Sequence, residues 1–89
     1  MNKEGRKVIK EVLEELEKTI NYLNELKYTI EAVSEEEQAK YDSLPDGLQE
    51  SEKGETLQYN IQVLDEFSEA VDDCVSNLEN LLNGDITDL

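Results

Sequence analysis

The apolar positions of this chain form two long helical stripes with one interruption between them. In the first stripe Ile9, Leu13, Leu16, Ile20, Leu23 and Ile30 recur at alternating steps of four and three residues, and Lys27 is its one gap. That spacing keeps side chains on one face of an α-helix. Val12, Leu26 and Val33 widen the stripe, and no proline interrupts it. Gly5 weakens only the first turn. The pattern predicts a helix over about residues 3–41. Ser34 followed by Glu37 has the spacing of a capping box, which would start a second helix there. The run of Glu, Gln, Ala and Lys across that point favours one continuous helix instead.

The second stripe is Leu57, Ile61, Leu64, Val71, Val75, Leu78 and Leu82, with Ser68 as its gap. Beside it runs a parallel row of Val63, Phe67, Ala70, Cys74 and Leu81. These positions predict a helix over about residues 52–83, with a short acidic tail at 84–89. Its two rows cover about half the helix circumference, wider than the two-position seam of a simple coiled coil. Asn83-Gly84 reads as a stop, with Gly84 suited to a left-handed cap.

Residues 42–51 separate the stripes. Pro45 disfavours helix at Leu44, Asp46-Gly47 is a turn pair, and Ser51 is a good N-cap with Glu52 and Glu55 behind it. A connector of about ten residues joins antiparallel helices. The expected fold is therefore all-α: a single domain built as a two-helix antiparallel hairpin. Two helices cannot cover faces this wide. Self-association into a helical bundle is expected, as a homodimer or a higher even-numbered oligomer. The hairpin would also bring the basic N-terminus near Asp85 and Asp88.

Composition narrows the function. A chain of 89 residues holds one domain. One cysteine excludes an internal disulfide and suggests a reducing, cytoplasmic setting. There is no histidine, so the usual base and the commonest zinc ligand are missing. No apolar run approaches the about 20 residues of a membrane span, and the polar start does not read as a signal peptide. The net charge is −15 and unevenly spread. Residues 1–10 hold Lys3, Arg6, Lys7 and Lys10 against Glu4 alone, while no Lys or Arg follows Lys53. Such a chain should repel nucleic acid and anionic lipid, and attract basic proteins.

Three chemical outlines are weak. Asp42 to Lys53 has part of a calcium loop, but Leu44 and Lys53 stand where ligands are required. Glu11 and Glu14 with Glu69 and Asp72 have the spacing of a magnesium site, yet Glu69 falls on the polar side of its helix. Cys74 sits on the apolar row and is expected to be a small buried hydrophobe, without a base to make it a nucleophile. Glu35, Glu36 and Glu37 read as a solvated helix face. The expectation is a protein without catalysis, cofactor or metal.

The segment from Tyr41 to Glu55, Tyr-Asp-Ser-Leu-Pro-Asp-Gly-Leu-Gln-Glu-Ser-Glu-Lys-Gly-Glu, resembles a stretch in small acidic helical proteins of phages and prophages. Those proteins share a Glu-rich first helix, a Tyr-Asp…Leu-Pro…Leu-Gln…Ser-Glu turn and an acidic second helix. The resemblance implies a viral or mobile-element origin and a bacterial host cytoplasm. Accessory proteins of that kind often antagonise host defence.

The leading functional expectation is a binding protein. Its acidic face, with Asp65, Glu66, Glu69 and Asp73, would occupy a basic, nucleic-acid-binding surface of a host protein. The alternative is an oligomeric sponge that sequesters a small nucleotide-like signal at the turn or between subunits. Tyr41 would stack, Asp42 and Gln49 would hydrogen-bond, and Ser51 and Lys53 at the start of the second helix would meet the anionic group. A third reading is a structural or assembly coiled coil.

Overall fold

The computed structural model describes residues 1–84 and consists of two helices, α1 (Lys3–Asp42) and α2 (Glu52–Leu82), packed as an antiparallel hairpin. Asp85 and Asp88, expected near the basic N-terminus, lie outside the described residues. The molecule is a rod of 67 × 15 × 15 Å.

α1 starts at Asn2, whose side-chain oxygen accepts from the Gly5 N–H at 2.7 Å. It runs through Ser34 without a break, because Ser34 faces α2 and its hydroxyl is spent there. It ends where Ser43 donates from its hydroxyl to the Ala39 carbonyl at 2.7 Å, two residues before Pro45. The turn closes through Leu48 N–H to Pro45 O at 3.0 Å and Ser51 N–H to Leu48 O at 3.1 Å. Gly47 supplies the positive φ of 89° that the turn needs. α2 is then capped by Ser51, whose side chain accepts from the Gly54 N–H.

The turn folds tightly back over the first turn of α2. A Cβ on Gly54 would lie 2.0 Å from the carbonyl oxygen of Gln49, so only glycine fits there. At the far end the expected left-handed cap is absent. Asn83 stays right-handed, and the helix closes through Asn83 N–H to Glu79 O and Gly84 N–H to Leu81 O. A tightened last turn satisfies those carbonyls without any positive φ.

Four cross-helix hydrogen bonds fix the register: Lys27 to Asp72, Glu31 with Ser68, Ser34 to Asp65, and Tyr41 with Gln58. In each pair the two residue numbers add to 99. Leu82, the last residue of α2, therefore stands level with Glu17, and the two line a common hollow. Residues 3–16 of α1 project about 21 Å past the end of α2, at 1.5 Å per residue. Among the described residues they have no helix opposite them.

The core is thin. Only Ile20, Leu57 and Val75 are buried apolar side chains among the described residues, and no side chain is fully enclosed. A second helix covers one side of a helix and leaves the rest in water. Phe67 at 59% exposure and Leu81 at 73% show how much apolar surface the hairpin leaves open.

Candidate interaction surfaces of the hairpin

Heptad labels organise what the packing does. With Leu13, Ile20 and Lys27 at position a, the d positions of α1 are Ile9, Leu16, Leu23, Ile30 and Glu37; in α2, Ile61, Ser68, Val75 and Leu82 are a and Leu57, Leu64, Val71 and Leu78 are d. Each helix then flanks its seam with an e row on one side and a g row on the other.

The e flank is polar and closed. Lys27, Ser34, Tyr41 and Ser68 are polar residues at a, and each bonds an e residue of the opposite helix. The Lys27 ammonium meets Asp72 Oδ1 at 3.0 Å, and this hydrogen bond holds the lysine above its usual range against the smaller opposing effect of desolvation. Ser34 Oγ donates to Asp65 Oδ1 at 2.8 Å. The two gaps in the apolar stripes, Lys27 and Ser68, are thus filled by partners that sequence spacing does not reveal.

The g flank is apolar and open. Val12, Thr19, Leu26 and Val33 on α1, with Phe67, Cys74 and Leu81 on α2, are all exposed. Cys74, expected to be buried, is exposed because the g row points past the partner helix rather than into it. At the turn end this flank gains charge. Glu37, the one charged d residue, accepts from Lys40 Nζ at 3.0 Å. That bond, with a lesser one from Asn60, holds the Glu37 carboxyl below its usual range, and Lys40 is raised in return.

The outward face of α2 carries Glu66, Glu69 and Asp73, all exposed. Asp65 is exposed too, but its carboxylate is shared with Ser34. A shallow groove lined by Gln38, Tyr41, Gln58, Asp65, Glu66 and Glu69 runs along this side. Tyr59, 66% exposed, stands two helical turns before Glu66 on the same face. Its heptad position, seven residues from Glu66, was the signal that marks it.

The turn residues are brought together, but by one another. Gln49 Nε2 donates to the Tyr41 carbonyl at 3.1 Å, and Gln58 Nε2 donates to the Tyr41 hydroxyl at 2.9 Å. Asp42 accepts from Gln38, and Ser51 donates to the Leu48 carbonyl while capping α2. Lys53 is exposed beside a hollow shared with Lys40, Leu44 and Leu57. The groups that would grip a ligand are engaged in closing the turn.

The magnesium outline separates in space. Glu69 is level with α1 near Ile30, about 28 Å along the helix from Glu11 at 1.5 Å per residue. No cluster of three or more His, Cys, Asp or Glu capable of holding a metal ion occurs among the described residues. No described helix is long and apolar enough to cross a membrane. The chain matches no family model, no curated protein and no solved structure.

Proposed function

We propose that this protein acts by binding, without catalysis, and that the outward face of α2 is the surface it offers to a basic site on another protein. The observation that carries this reading is the exposure of Glu66, Glu69 and Asp73 on a helix with no cation after Lys53, with Tyr59 exposed two helical turns before Glu66 on the same face. Exposed carboxylates of one sign attract a basic partner over distance and speed its encounter. An exposed tyrosine gives such a surface an apolar anchor with a polar tip. The resemblance at the turn adds a viral setting, in which the partner is a host protein that otherwise holds nucleic acid. The sponge reading loses force because Tyr41, Asp42, Gln49 and Ser51 are engaged with one another and with neighbouring helix residues, and the adjoining groove is acidic.

The test uses a partner captured from host lysate by the wild-type chain. Replacing Glu66, Glu69 and Asp73 by Lys should leave helicity and mass unchanged and abolish capture, chiefly through slower association. Raising salt should weaken wild-type capture steeply. Retention of the partner by the triple variant, with loss in a Tyr41→Ala, Gln49→Ala variant that still folds, would overturn the proposal in favour of the turn.

A further inference from the structure

The open g flank is a continuous strip. From Val33 beside Phe67, through Leu26 beside Cys74, to Thr19 beside Leu81, every position is exposed and none is charged. The strip runs 14 residues along each helix, about 21 Å. Residues 3–16 continue it beyond α2 with Val8 and Val12, which are 53% and 46% exposed.

Charge says what should lie on it. The tip of the projecting end, residues 1–10, is the basic part of the chain, with Lys3, Lys7 and Lys10, before Glu11, Glu14 and Glu15 follow. The opposite end of the rod is acidic on balance, because Glu35, Glu36, Asp42, Asp46, Glu50 and Glu52 outnumber Lys40 and Lys53. Two copies stacked with their turns at the same end would put basic end beside basic end and acidic beside acidic. Two copies stacked end for end put unlike charges together at both ends.

We propose that a second copy of this chain covers the g flank, antiparallel to the first, to form a four-helix bundle. The two-fold axis lies across the helices at the level of Leu26 and Cys74. This register sets Leu26 against Leu26 and Cys74 against Cys74 of the second copy. Phe67, the largest exposed apolar side chain of the strip, then faces Leu81 of the second copy, and Val33 faces Thr19. Val12 on the projecting end is carried over Lys40, beside the acidic turn end. Isologous packing of this kind is closed, so it stops at two copies. The proposal is independent of the partner-binding role of the acidic face.

Light scattering of the full chain should give twice the 10.2 kDa of one chain. Orientation is read with a short bismaleimide on Val12→Cys and Lys40→Cys chains, each also carrying Cys74→Ser and each checked for helicity. A co-refolded mixture should yield the cross-linked 12-to-40 product, and neither chain should link to itself. Self-linkage of the Val12→Cys chain would mean the copies lie in the same direction, and would overturn the proposal. So would a monomeric mass, or a mixture that yields no linked product.

Discussion

The two flanks of the hairpin are built from the same heptads and reach opposite ends. On the e side, polar residues at a lean outward and find partners on the facing helix: Lys27 with Asp72, Ser34 with Asp65, Ser68 with Glu31. On the g side the d residues are apolar except Glu37, and the neighbouring g residues Leu26, Val33, Phe67 and Leu81 are left in water. The e flank sets register within one chain. A helix slipped by one turn would strand a lysine and two hydroxyls at the seam, and the cost of unpaired polar groups there selects one alignment. The g flank has no such directional bonds. It contributes apolar area, which is worth little until something covers it.

The largest expected effect strikes both flanks at once. Gly54→Ala drives a Cβ into the backbone of Gln49 and forces the turn off α2, so the register of both helices is disturbed. A loss of about 3 kcal/mol is expected in urea unfolding followed by helix circular dichroism. Gly47→Ala, which meets no neighbouring atom but must hold a positive φ, should cost about 1 kcal/mol. Equal costs at the two glycines would mean that close approach is not what Gly54 provides.

A smaller pair of effects separates the flanks directly. Ser34→Ala removes one hydrogen bond on the e flank and should cost about 1 kcal/mol at every protein concentration. Phe67→Lys on the g flank should lower the melting temperature of concentrated samples and leave dilute ones little changed, because its effect passes through association. A concentration-independent loss at Phe67 would place that ring inside the single hairpin.

The smallest effect is a titration. The Glu37 carboxyl is held below its usual range, so the stability it contributes is present above the unfolded-state value and is lost as pH falls through the folded one. Wild type should exceed Glu37→Gln in stability near neutrality, and the difference should close as pH drops below about 4. A difference that persists into strong acid would show that shape, not charge, matters at this position.

What was legible in the sequence follows from periodicity. Steps of four and three residues, Pro45, Asp46-Gly47 and Ser51 prescribe two helices and a turn, because each acts through local backbone geometry or through one face of one helix. The apolar rows are wider than one neighbouring helix covers, and Phe67 and Leu81 stand exposed in the hairpin. The spacing also drew wrong inferences. Cys74 was expected inside and is outside, since a row beside the seam is buried only if a further helix lies over it. Gly84 was expected in a left-handed cap and is not, because a right-handed last turn satisfies the same carbonyls.

The tertiary structure decided what pairs with what. Lys27 and Ser68 looked like gaps, and only the facing helix shows Asp72 and Glu31 filling them. No local pattern marks Gly54, and only the folded turn brings the Gln49 backbone against it. The projection of residues 3–16 depends on register, which no single helix encodes. The sequence alone determined how each helix forms and which way its apolar face points, because those are short-range properties repeating every few residues. Which residues meet across the seam is settled between segments some 17 to 45 positions apart, by hydrogen bonds that exist only once the two helices lie side by side.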